Sequence, residues 1–324
     1  MRPILCNYYI TYRCNAKCTF CDIWKIQKSL DLHDASLTDV EANLTQLKKI
    51  GVKFVDFTGG EPLLHENLPQ MLAIAKQLKL LTSVTTNCLI YPERASEIKG
   101  LVDFLHFSLD SFDPSLNRNL RGADTHSFVM KSIDIAHEID ERPDILFTAT
   151  QKNYKSISKL YDLCKVNRLM LIVNPVFQYS DQQRLSSDII DYLNRFRFKP
   201  YIYVNMALHK LITKNGNATR HPRCKAMTSS LVISPENTLM LPCFHHRLIE
   251  IPLSISPLSD VLKSDQYLMF QNYEGRLEFC EHCTINCYFD PSFTYKFDTY
   301  FVLSLLSKVK YIFDKKIYTR LRPY

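Results

Sequence analysis

Glycine is scarce in this sequence, with seven in 324 residues. In so poor a background, the adjacent pair Gly59-Gly60 marks a place where a ligand is expected to approach the backbone closely. Long apolar runs are absent too: no stretch of about 18 apolar residues occurs, and the opening MRPILCNYYITYRC has no apolar core of signal-peptide length. A spanning helix of ordinary length is thereby excluded, and a cytoplasmic protein is expected. There is no solenoid-type repeat and no low-complexity segment. Strong charge of one sign is also lacking. The net charge of +7 is modest for this length, and the last 32 residues supply +5 of it, from seven Lys/Arg against Asp298 and Asp314. Nucleic acid is not expected as a partner.

What is present is a 46% hydrophobic composition, enough for one large core and a smaller appended domain. Apolar runs of strand length recur at Leu5 to Thr11, Val52 to Thr58, Leu81 to Thr86, Val102 to Leu109, Ile145 to Thr150 and Leu169 to Asn174. Between them, Ser36–Ile50, Asn67–Leu80, Pro92–Lys99, Thr125–Ile139 and Ser156–Val166 carry apolar residues at helical spacing. Six strand–helix units predict an α/β fold, a partial (β/α)6 TIM-type barrel over residues 1–200. In such barrels chemistry gathers at the C-terminal ends of the strands. The unusual residues here fall there: a cysteine triplet after the first strand, Gly59-Gly60-Glu61-Pro62 after the second, Thr86-Asn87 after the third, and Ser108-Leu109-Asp110 after the fourth. Beyond about residue 200 the repeat stops. A small cysteine-rich domain is expected over 201–292, and a basic helical tail over 293–324.

Eleven cysteines in a long chain without a signal peptide, gathered in two groups, point to metal rather than disulfides. Cys14-x3-Cys18-x2-Cys21 offers three soft thiolates within eight residues, which suits iron–sulfur and is one short of a closed zinc site. A four-iron cluster held by three thiolates keeps one iron open, able to chelate the amino and carboxylate groups of S-adenosylmethionine (SAM). A zinc loop completed by His33, or free thiols, is the alternative on these residues alone.

The x3/x2 spacing after the first barrel strand, with the aromatic Phe20 before the last cysteine, resembles the radical SAM superfamily. That resemblance implies a [4Fe-4S] cluster on Cys14, Cys18 and Cys21 that reductively cleaves SAM to a 5′-deoxyadenosyl radical. It implies that Phe20 packs near the adenine and that Gly59, Gly60 and Glu61 hold the SAM amino group. Ser108-Leu109-Asp110-Ser111 with Asn119-Leu120-Arg121-Gly122 resembles the family's fourth-strand segment, in which Ser108 would meet the ribose and Arg121 the carboxylate. Asp110 is left to ribose, substrate or a turn. Asn87 stands in the usual Thr-Asn place, and Cys88 where glycine is common. A reductant such as flavodoxin or ferredoxin is the expected partner, and the substrate is a peptide, a lipid or isoprenoid, or a small molecule.

Cys224, Cys243, Cys280, Cys283 and Cys287 form the second group. With a hairpin read over Val232–Met240, in which Asn237 takes any left-handed turn, they resemble the SPASM and twitch auxiliary domains of radical SAM proteins. The closing segment from Cys280 to Pro291 is similar to that of hopanoid-biosynthesis members. A second, auxiliary [4Fe-4S] cluster is implied, most simply on Cys224, Cys243, Cys280 and Cys283 or with Cys287 replacing one; a structural zinc is the alternative. Cys6, Cys88 and Cys164 lie on apolar segments and read as buried thiols. His245-His246-Arg247 reads as a solvated or substrate-facing loop. The tail from Phe297 to Tyr324 is expected to pack on the barrel, its apolar positions scattering round the helix, with contact to a membrane surface as the competing reading. A non-catalytic iron–sulfur or zinc protein for electron transfer or scaffolding would need the cysteines but not the rim residues.

Overall fold

The computed structural model describes residues 2–26, 33–177 and 184–319. Its strands are β1 (Leu5–Thr11), β2 (Phe54–Gly59), β3 (Leu81–Thr86), β4 (Phe104–Ser108), β5 (Asp144–Ala149), β6 (Leu171–Pro175), β7 (Ile202–Val204), β8 (Ser230–Ile233), β9 (Thr238–Leu241) and β10 (Ile249–Pro252). They form one sheet in the order β10-β9-β8-β1-β2-β3-β4-β5-β6-β7. Each pairing from β8 through β1 to β7 is parallel, and β9 and β10 add antiparallel strands at one edge. This is a partial TIM-type barrel, with the six expected strands in sequence order.

Two additions extend the pattern. β7 is a seventh parallel strand after residue 200, and its three residues are too few to stand out as an apolar run. The expected hairpin forms as β8 and β9, with Asn237 at φ 57° in the left-handed region. Its first strand lies directly beside β1, Leu5 opposite Ser230 and Tyr8 opposite Ile233, so the cysteine-rich part of the chain builds on the barrel's own sheet.

The covering helices follow the predicted segments: Leu37–Ile50, Leu68–Gln77, Tyr91–Ile98, His126–Glu138 and Ile157–Asn167. The first shows why the boundaries fall where they do. The Ser36 side chain accepts from the backbone N–H of Asp39, satisfying an orphan donor, and Gly51 ends the helix at φ 101°. Val40, Leu44 and Leu47 lie on one face of it and are fully buried. Each stabilises the fold by about 1.5–3 kcal/mol through area removed from water.

Strand alternation separates two environments. Val55, Phe57, Val84, Phe107, Phe147 and Val173 face the helices and are completely buried. Their neighbours Asp56, Ser83, His106, Thr148 and Asn174 point the other way and keep partial exposure in mid-sheet, which is the signature of an accessible lumen. The strands β1 to β7 contain no Lys or Arg. Burial pushes His106 down to about 4, so its ring is neutral.

The tail forms a helix, Thr299–Tyr318, that packs on β7 and on the helix Met206–Thr213. The Lys315 ammonium donates to both Asp144 carboxylate oxygens at 2.8 and 3.0 Å, and the Tyr311 hydroxyl donates to the same group. The expected scatter of its apolar residues is not what forms: they are sorted, and a contiguous outward face remains exposed. Arg320 to Tyr324 lie outside the described residues. Among the described residues no helix is long and apolar enough to cross a membrane.

Candidate cofactor site at the barrel rim

The cysteine triplet occupies the loop that leaves β1, fixed by its backbone to the elements around it. The N–H groups of Lys17 and Thr19 donate to the carbonyls of Arg121 and Leu120 at 3.1 and 2.8 Å, joining the loop to the end of the helix Pro114–Arg121. On the other side Gly60 N–H donates to Thr11 O and Glu61 N–H to Arg13 O, at 2.9 and 2.8 Å. The reason for glycine is now visible. A Cβ on Gly59 would lie 1.9 Å from Thr11 O, on Gly60 2.1 Å from Arg13 O, and on Gly122 2.5 Å from Lys17 O. Three of the seven glycines therefore let the cysteine loop pass, and what approaches them here is the protein's own backbone.

Cys14, Cys18 and Cys21 are all half-buried. Burial pushes Cys14 up to about 12 and Cys21 up to about 11, and Cys18 is raised as well, against the pull of the Arg121 cation. Each of Cys14 and Cys21 also feels the charge of another thiol in the loop. Among the described residues no three His, Cys, Asp or Glu side chains close on a single metal-ion position, and His33 stands exposed in a separate segment. Three soft thiols in one loop, needing a strong cationic centre to ionise, form a donor set that fits a four-iron cluster with one open iron.

Arg121 is the electrostatic centre of the rim. It is 6% exposed, its Nε stands 2.6 Å from Asp110 Oδ2 in an ion pair bent away from hydrogen-bond alignment, and its guanidinium lies 3.9 Å from Cys18 Sγ and 5.5 Å from the centre of the Phe20 ring. Asp110 is fully buried and uses its other oxygen to accept from Thr148 N–H at 2.8 Å. In this structure Asp110 therefore positions the arginine. Asn117 and Asn153 complete that frame by hydrogen bonds to the Asp110 backbone N–H and carbonyl at 3.0 and 2.9 Å. Ser108 lies buried at the end of β4.

Glu61 is 1% exposed. Its carboxylate accepts from Leu63 N–H at 3.1 Å and from Asn87 N–H at 2.8 Å, while burial pushes it up to about 7. The Asn87 side chain donates to Asn15 Oδ1 at 2.7 Å, linking the third strand to the cysteine loop. Cys88 takes the left-handed conformation, φ 68°, that glycine would adopt more easily. Its thiol is fully buried, like those of Cys6 and Cys164.

The later cysteines gather from three separate stretches of chain. Cys224 feels the thiols of Cys283, Cys243 and Cys280, and Cys287 those of Cys243 and Cys283. Asn217, which sequence reasoning overlooked, joins two of these stretches. Its side chain donates to Gly275 O and Cys280 O at 2.8 and 3.0 Å and accepts from Arg223 and Cys224 N–H at 2.9 and 3.2 Å, while its own N–H donates to Cys283 O at 3.0 Å. The loop after Cys243 is not simply solvated. Phe244 stacks on Tyr9 at 4.1 Å, and the His245 ring, pushed down to about 3 by burial, sits edge-on to Phe244, Phe177 and Tyr288.

An open α/β barrel whose first-strand loop presents three thiols beside a buried arginine defines a cofactor-binding barrel protein. Residues 8–164 match the family model described as the radical SAM superfamily, and the chain carries a radical SAM domain. It is 30% identical over 151 residues to a probable GTP 3′,8-cyclase of Sulfolobus acidocaldarius, covering 46% of this chain and 48% of that one. It is 30% identical over 122 residues to the PqqA peptide cyclase of Streptomyces rochei, covering 36% and 33%. The chain thus spans about a third to a half of these curated relatives. Two solved structures share the fold: Streptococcus suis SuiB bound to S-adenosylmethionine, at TM-score 0.69 and 20% identity over 87% of this chain and 71% of that one, and native anSMEcpe with bound AdoMet, at TM-score 0.67 and 16% identity over 97% and 98%.

Proposed function

We propose that this chain is a radical SAM enzyme assisted by an auxiliary iron–sulfur cluster. The observation that carries the reading is the convergence on one rim of Cys14, Cys18 and Cys21 with Arg121, Glu61 and Asn87. Cys14, Cys18 and Cys21 would hold a [4Fe-4S] cluster, which would pass an electron from the reductant to SAM for its reductive cleavage into methionine and a 5′-deoxyadenosyl radical. The chain's own residues do the rest. Arg121, held by Asp110, would turn its guanidinium to a carboxylate. Glu61 would accept from an ammonium group, Ser108 would meet ribose hydroxyls, and Phe20 would pack on the adenine. Cys224, Cys243, Cys280 and Cys283 hold the auxiliary cluster, with Cys287 as the alternate ligand; its uses would be electron transfer during a dehydrogenation or anchoring of substrate. A reductant of the flavodoxin or ferredoxin kind completes the system.

The lumen bears on the substrate. Strands without Lys or Arg, a neutral His106 and the Asp56 carboxyl on the inner face make a poor seat for a triphosphate and a good one for an uncharged or cationic group. This favours a substrate of the kind named in the PqqA peptide cyclase, or in SuiB bound to its precursor peptide, over the nucleotide of the GTP cyclases. The test is anaerobic reconstitution with iron and sulfide, reduction, and assay for 5′-deoxyadenosine. The unaltered protein should form it, and the Cys14→Ala, Cys18→Ala, Cys21→Ala triple variant should not. SAM cleavage persisting in that variant would overturn the assignment.

A further inference from the structure

The outer face of the C-terminal helix is more apolar than a solvated helix face should be. Leu305, Leu306, Val309, Ile312, Phe313 and Ile317 are each between 49% and 63% exposed. At 3.6 residues per turn they occupy one arc of about 140°. Each is large, and the steps of three and four residues make the arc continuous over the helix. The opposite face is fully committed. Ser304, Ser307 and Asp314 are buried on it, and Tyr311 and Lys315 reach Asp144 of β5. The helix is therefore docked through polar and aromatic groups with Leu303, and it displays most of its large aliphatic side chains outward, unlike an ordinary surface helix.

Charge and shape select the occupant. Asp298 caps the helix N-terminus and faces Arg223, and the only carboxylate within the helix, Asp314, is buried against Lys310, so the apolar arc carries no exposed acid. Lys316 stands exposed at its C-terminal end. The neighbouring loop, joined to the helix by the Lys310 ammonium donating to Lys199 O at 2.7 Å, adds Phe198 at 70% exposure between Arg197 and Lys199. A coiled-coil pairing with a second copy uses a narrow seam of apolar residues and would bring two positive edges together. A broad apolar arc with basic residues at its border instead matches the boundary between acyl chains and anionic headgroups.

We propose that the helix Thr299–Tyr318, with the Phe198 loop, is a docking surface for an anionic lipid membrane, against which the barrel rests without inserting a spanning segment. The reading is independent of the cofactor chemistry, since no residue of the arc belongs to either cysteine site. The experiment sediments the full chain with vesicles of phosphatidylcholine alone and of phosphatidylcholine with 30% phosphatidylglycerol at low salt. The unaltered protein is expected to bind the anionic vesicles at least tenfold more tightly than the neutral ones, and to be released as salt is raised. The Leu306→Ser, Val309→Ser, Phe313→Ser triple variant changes only exposed side chains. It should keep the thermal unfolding midpoint and SAM cleavage of the parent and lose at least tenfold in vesicle binding. An unaltered protein that stays in the supernatant with both vesicles overturns the proposal, as does a triple variant that binds like the parent. Light scattering supplies the other decisive outcome: a dimer that the triple substitution makes monomeric, with no vesicle binding in the parent, would assign the face to a second copy and overturn the lipid reading.

Discussion

The two cysteine groups are built in opposite ways. Cys14, Cys18 and Cys21 share one loop, stay half-buried, and owe their position to backbone contacts with β1, β2 and the end of one helix. The later group comes from three segments, with Cys224 and Cys243 each 8% exposed and Cys280, Cys283 and Cys287 half-buried, and one buried asparagine ties two of those segments together. A site on one loop can leave an approach open for a second molecule. A site that pins distant segments together serves the fold as well as chemistry, because ligands bound to it cross-link the chain. The first group is thus suited to a reactive centre and the second to one that also braces the fold.

Substitutions can separate the two sites, and the largest effect should follow from Gly60→Ala. Its new Cβ would fall 2.1 Å from a backbone oxygen that cannot swing away. The cysteine loop should be displaced, iron after reconstitution should fall by about four per chain, and 5′-deoxyadenosine should not form. Full iron content in this variant would mean that the loop yields without harm.

Asp110→Asn comes next. It strands the Arg121 cation in a buried setting, a change that costs about 3–5 kcal/mol where a buried ion pair is broken. Denaturant unfolding should show a loss of that order, and spectra of the first cluster should change while those of the second do not.

Asn217→Ala removes four side-chain hydrogen bonds and leaves buried backbone groups unpaired, for about 2–4 kcal/mol. Here the second site alone should lose iron, and SAM cleavage should survive. A variant that lost both clusters together would break the separation between the sites.

The smallest effect belongs to Tyr311→Phe, far from either group. Losing its hydrogen bond to Asp144 should cost about 1 kcal/mol, since Lys315 still pairs that carboxylate. Iron content should be unchanged, which makes it a control for general destabilisation.

What could be read from the sequence follows the same division. The triplet, the glycine pair and the six strands are local patterns, legible because period, spacing and scarcity are written in adjacent residues. Asp110 as the holder of Arg121, and Asn217 as the tie between two stretches of the later cysteines, depend on contacts between remote segments and carry no local sign. β7, at three residues, is too short to register as an apolar run. The sorting of the tail is hidden for a further reason: its inward face combines Leu303 and Tyr300, packed on the cluster around Leu208 and Leu211, with polar and aromatic groups bonded to Asp144.

The place of β8 beside β1 bears on how the protein is made. β1 leaves the ribosome long before β8, and one of its edges is covered only when Ser230 to Ile233 arrive. At a synthesis rate of roughly 5–20 residues per second, that edge waits roughly ten seconds to the better part of a minute. Throughout that interval a row of unpaired N–H and C=O groups stands open to foreign strands. The cysteine loop hangs from the same strand, so a cluster inserted during synthesis would enter a barrel not yet closed. Premature release of the chain near residue 225 would leave an aggregation-prone fragment that already carries the complete first cysteine loop.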